Sequence, residues 1–116
     1  MLDMFYGSCS RGNNVQLDFS NWDTRNLEMM GGMFQNCYKI TSYNFSNWNT
    51  EKVTNMQNTF MNNQNLTSLD LSSFYTPLLS NTWNMFSQDT RLTRIDMRNF
   101  DFTNITTYTD MFGANA

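Results

Sequence analysis

Histidine is absent from the 116 residues. No imidazole can therefore serve as general base, triad member or metal ligand. Charge is sparse as well: charged residues make up 15%, the net charge is −3 and the pI is near 4.5. Seven scattered Lys and Arg cannot build the clustered basic face that nucleic acid requires. No apolar run approaches the roughly 18 residues of a membrane span, so membrane insertion is not expected. The opening MLDMFYGSCSRG has no basic stretch followed by an apolar one and does not read as a signal peptide. Two cysteines are too few for a tetrahedral zinc site. The single proline, Pro77, falls just after a predicted strand, where its missing N–H does no harm.

What is abundant is aromatic side chains (16%), ten methionines and eighteen asparagines. Such a polar chain would suggest disorder if aromatics were scarce, and they are not. The stretch 53–76 sets the pattern. Val53, Met56 and Phe60 fall at i, i+3 and i+7, the stripe of a short helix. Leu66, Leu69, Leu71 and Phe74 then follow the alternation of a strand buried on one face. A shift of 26 residues aligns Leu17, Tyr43, Leu69 and Ile95. It also aligns Phe19, Phe45, Leu71 and Met97, and then Trp22, Trp48, Phe74 and Phe100. Three more sets follow: Leu27/Val53/Leu79/Ile105, Met30/Met56/Thr82/Tyr108 and Phe34/Phe60/Phe86/Phe112. The only break is about three extra residues in the loop 6–14.

A repeat of this length denotes a solenoid, because one unit cannot bury its own apolar face. The expectation is an α/β repeat solenoid in a single domain over 1–116. It has about four 26-residue coils starting near 14, 40, 66 and 92, with a partial unit at each end. Each coil contributes one short parallel strand and one short helix, with aromatics stacked on their counterparts. Thr54 and Gln57 suit a capping box, and Ser80 and Thr106 stand at equivalent caps. Gly31 and Gly32 predict that the first helix is the most frayed.

The units LDFSNWDTRNL, YNFSNWNTEKV and LDLSSFYTPLL, each followed by MF or TF, resemble the BspA-type leucine-rich repeat, a bacterial surface-protein family formerly catalogued as a domain of unknown function. The departures are Tyr75 and Phe102 in turn positions and Trp83 in the third predicted helix. The resemblance implies a leucine-rich-repeat-like fold and an extracellular or cell-surface location. It also implies adhesion to a host or neighbouring-cell protein or glycan. It assigns no binding residues.

Catalytic machinery is lacking, and the abundant Ser and Thr recur once per coil, as structural residues do, so neither an enzyme nor a cofactor is expected. With residues 69 and 71 inward, the outward strand positions form a polar strip. Asp18, Asn44, Asp70 and Asp96 lie at its centre, and Arg94 and Arg98 beside the last. This strip is the candidate recognition surface, weighed against a merely solvated face. A calcium site is disfavoured, because a flat sheet diverges its oxygens. The column Asn21, Asn47, Ser73 and Asn99 is expected to bond neighbouring backbone. Cys9 and Cys37 stand about one coil apart, within reach of a disulfide, although buried free thiols are the favoured reading. Met4 and Phe5 near one end and Met111 and Phe112 near the other occupy the same repeat columns. Head-to-tail self-association through them into a filament is the alternative function.

Overall fold

The computed structural model describes residues 15–113. It contains four short strands, β1 (Val15–Asp18), β2 (Ile40–Asn44), β3 (Ser68–Asp70) and β4 (Arg94–Asp96). Their alternation places Leu69 and Leu71 in the core and leaves Asp70 outside. Pairing is parallel at the 26-residue register, Leu17 against Tyr43 and Leu69 against Ile95. The strands nevertheless form two separate sheets, β1–β2 and β3–β4.

The helices expected in each coil do not form, so the α/β reading is corrected: among the described residues there is no helix. The segments that carry the helical stripe are chains of overlapping turns. In the second coil the N–H of Thr59 bonds to the carbonyl of Met56, and that of Met61 to Asn58, closing four-residue turns. The alternate groups point along the stack instead. The N–H groups of Met56, Asn58, Phe60 and Asn62 donate to the carbonyls of Asn81, Trp83, Met85 and Ser87 at 2.8–3.0 Å. The same four bonds join the first coil to the second and the third to the fourth.

The physical reason is backbone handedness. Gly32, Asn58, Asn84 and Asp110 have φ between 54° and 66°, and Asn36, Asn62 and Gln88 between 61° and 65°. A right-handed helix cannot contain such residues, whereas a type II turn requires one at its third position. Gly32, Asn58, Asn84 and Asp110 hold that position in the turns closed by Met33, Thr59, Met85 and Met111. Gly32 therefore costs nothing here and suits its site best. The capping box at Thr54 and Gln57 is likewise replaced. The Thr54 N–H donates to the Glu28 carbonyl one coil back, and the Asn55 Oδ1 accepts the Gln57 N–H.

The turn side is the continuous one. Isolated parallel bridges run Met29–Asn55–Asn81–Thr107 through all four coils. The core between the two sides is built from aromatic stacks, which bury large apolar area with favourable ring geometry. Phe34, Phe60, Phe86 and Phe112 stack with centroids 5.3–5.9 Å apart. Trp22, Trp48, Phe74 and Phe100 do so at 6.0–6.3 Å. A buried threonine column seals the turn beyond the strands: the hydroxyls of Thr24, Thr50 and Thr76 donate to the carbonyls of Asn49, Tyr75 and Asp101. Phe102 takes the fourth place and is exposed. Cys37 is fully buried and disulfide-bonded rather than a free thiol. Cys9 lies outside the described residues.

Candidate functional site

The outward column Asp18, Asn44, Asp70 and Asp96 ends each strand in the same way. The side-chain Oδ1 of each accepts the backbone N–H two residues on: Ser20, Ser46, Ser72 and Arg98 respectively. Each is thus an Asx turn that stops the strand and fixes the next bend. Hydrogen bonds from the Ser20 and Ser72 side chains, and then these backbone bonds, hold the Asp18 and Asp70 carboxyls below the usual carboxylate range. For Asp96 the Arg98 guanidinium is the larger cause. It grips both carboxylate oxygens through Nε at 3.0 and 3.1 Å.

Asp96 thus has both oxygens engaged, while other groups of the strip remain available. Asn44 Nδ2 makes no hydrogen bond to the described residues and lies on the exposed face. Asp70 stays exposed, its carboxylate accepting from the backbone N–H and the side chain of Ser72. Arg94 pairs in register with Ser68, is exposed, and forms no ion pair with any described residue. It lines a shallow groove of about 230 Å³ with Ser68, Leu69, Asp70 and Asp96.

Of the six strand-face candidates, the fold brings Asp70, Arg94, Asp96 and Arg98 together on β3–β4 and its following turn. Asp18 and Asn44 pair on β1–β2. Between these groups the sheet parts. The Phe19 N–H donates to the Asn44 carbonyl and the Leu71 N–H to Asp96, whereas no such bond joins Phe45 to Asp70. A groove of about 250 Å³ occupies the parting, with Tyr43 and Phe45 as its floor and Asn44, Ser46, Asp70 and Ser72 as its walls. Ser73 bridges its end, its Oγ donating to the Phe45 carbonyl at 2.9 Å. Asn99 in the same column bonds the Ser72 carbonyl through Nδ2, as the repeat suggests. The end residues Met111 and Phe112 are half-buried and exposed, while Met4 and Phe5 lie outside the described residues.

Sequence reasoning passes over a buried polar column formed by Cys37, Asn63 and Asp89. The Asp89 Oδ1 accepts the Asn63 N–H at 2.7 Å, and Oδ2 is buried without a partner among the described residues. Burial pushes this carboxyl up to about 8, because the charged form loses its hydration. Asn63 is itself held in the core: its Nδ2 donates to the Phe34 and Phe60 carbonyls and its Oδ1 accepts from the Tyr43 hydroxyl. The 26-residue spacing places the three residues together, but their dissimilar types conceal the column.

Among the described residues no group of three His, Cys, Asp or Glu could hold a metal ion. No helix among them is long and apolar enough to cross a membrane. A family model described as "Mycoplasma protein of unknown function, DUF285" matches residues 1–116. No curated protein and no solved structure matches the chain.

Proposed function

We propose, for a chain that belongs to this family of Mycoplasma proteins of unknown function, that it is a non-enzymatic binding module that adheres through its strand face. The partner class is a protein or glycan on a host or neighbouring cell, and the location is the cell surface, as the BspA-type resemblance implies. One observation carries the reading: the strand side is where polar groups remain uncommitted. On the turn side, the N–H groups of the first three coils that point along the stack are spent on the next coil. On the strand side, Asn44 Nδ2, the exposed Asp70 carboxylate and Arg94 border the grooves at and beside the parting of the sheets. Recognition needs donors and acceptors that folding has not already used.

The test is adhesion of beads coated with the protein to cultured host cells. Asp70→Asn keeps the Asx-turn acceptor and removes the charge, and Arg94→Ala removes the free cation. Each is expected to cut adhesion severalfold while the melting temperature holds, since surface changes of this kind stay within about 0.5 kcal/mol. Adhesion unaffected by both variants would remove the strand face as the binding surface.

A further inference from the structure

The parting between the second and third coils lies inside the stack, and it leaves backbone groups unmet on both of its sides. The N–H of Phe45 stands where those of Phe19 and Leu71 donate onward to Asn44 and Asp96, so it points along the stack toward the carbonyl of Asp70. No hydrogen bond joins the two, and neither group meets another partner among the described residues. Phe45 is only 2% exposed, and a buried backbone donor is almost always paired. This one opens onto the groove of about 250 Å³ that Phe45 and Asp70 both line.

The groups around the gap narrow what it can hold. Its donors are the Phe45 N–H and Asn44 Nδ2. Its acceptors are the Asp70 carbonyl and carboxylate and the hydroxyl oxygens of Ser46 and Ser72, whose own protons go to Asn44 Oδ1 and the Asp70 carboxylate. The carboxylate repels an anion, and one carboxylate is too little for a metal ion, which wants six or more converging oxygens if it is calcium. The floor rings of Tyr43 and Phe45 are 7% and 2% exposed, so an apolar ligand finds almost no surface. An extended peptide would have to push the strands apart by a further spacing of about 4.8 Å, and the Ser73 bond to the Phe45 carbonyl at 2.9 Å ties them together. A hydroxyl, in contrast, both donates and accepts. Set in the parting, it accepts from the Phe45 N–H and donates to the Asp70 carbonyl, and neighbouring hydroxyls of the same ring reach Asn44 Nδ2 and the Asp70 carboxylate. The groove is smaller than the roughly 300–1,000 Å³ of a pocket for a drug-sized ligand, which limits the occupant to a single ring.

We propose that the groove at the parting binds one neutral pyranose ring of a cell-surface glycan, with a ring hydroxyl bridging the Phe45 N–H and the Asp70 carbonyl. This inference rests on the strand-face reading and narrows its partner from a protein or glycan to a neutral glycan. Arg94 lines the neighbouring groove and takes no part.

The test is an NMR titration of the isotopically labelled full chain with glucose, galactose and N-acetylglucosamine, and with N-acetylneuraminic acid as the anionic control. A groove this small is expected to bind with a Kd of roughly 1 mM. At least one neutral sugar is expected to shift the Phe45 amide and slow its hydrogen exchange, and the acid to leave both unchanged. Asn44→Asp keeps the Oδ1 acceptor for the Ser46 N–H and removes the Nδ2 donor. It is expected to weaken binding severalfold while the melting temperature holds. The proposal is overturned if no neutral sugar moves the Phe45 amide at up to roughly 0.1 M, about a hundred times that Kd, if the acid acts equally, or if Asn44→Asp binds as well as the native chain. Adhesion that still falls in Arg94→Ala would then keep the strand face and return its partner to a protein. A sugar that shifts Phe45 while adhesion ignores both Arg94→Ala and Asp70→Asn would support the sugar site and remove the adhesive reading instead.

Discussion

Asp89 shows how one residue sets the pH response of the whole chain. Its carboxyl is buried, one oxygen has no partner among the described residues, and its pKa is raised to about 8 from 3.8. A carboxyl whose folded pKa lies above its unfolded value binds its proton more tightly in the folded state. Its contribution is then complete below pH 4, is lost as the pH rises toward 8, and is level beyond. The slope approaches roughly 1.4 kcal/mol per pH unit within that window. Asp89→Asn retains the acceptor for the Asn63 N–H and cannot ionise. Urea melts at pH 5, 7 and 9 should show the native chain losing stability across the series and the variant staying nearly flat. A native profile that is flat from pH 5 to 9 would contradict the burial argument. The exposed Asp18 and Asp70 and the half-buried Asp96 and Asp101, whose pKa values are lowered by local hydrogen bonds, act in the opposite sense, losing their contribution as the pH falls below about 4.

At the scale of the element, the turn ladder rests on left-handed residues. Asn58 has φ 57° and a buried Oδ1 without a partner among the described residues. Glycine fits that backbone without strain and removes the orphan oxygen. A β-branched side chain meets the steric penalty of roughly 1–2 kcal/mol per residue. Asn58→Gly should leave the melting temperature near its starting value, and Asn58→Val should lower it by several degrees. Were the segment helical, valine would be tolerated better than glycine, so the order of the two variants separates the two architectures. The helical stripe misleads because the turns bury Val53, Met56 and Phe60 just as a helix would. Side-chain spacing reports which residues face the core, and it does not report where the N–H groups point.

Across the whole molecule, the hydrogen bonds between coils are distributed unevenly. The turn side is stitched by four ladder bonds at each of the three junctions among the described residues, and the strand side parts between the second and third coils. Amide hydrogen exchange should follow this pattern. The N–H groups of Met56, Phe60 and Asn62 are expected to be strongly protected, and that of Phe45, at the parting, to exchange fast, because protection tracks local bonding and burial. Equal protection at Phe45 and Phe60 would mean that the strands form one continuous sheet in solution.

The 26-residue register, the inward columns of Leu, Phe and Trp, the outward Asp and Asn strip and the stacking of like on like are all legible in the sequence, because each depends on which side chains avoid water, and that choice recurs with the period of the chain. The bond from Asn99 to neighbouring backbone was legible for the same reason. The helix, the capping box and the free thiol at Cys37 were misread, and the column of Cys37, Asn63 and Asp89 was passed over. Whether Asn58 turns left-handed, whether an N–H closes its own turn or donates to the next coil, and where the sheet parts are settled by the coil stacked against it. A lone unit does not contain that neighbour, so only the assembled stack decides between a helix and a ladder of turns that bury the same side chains.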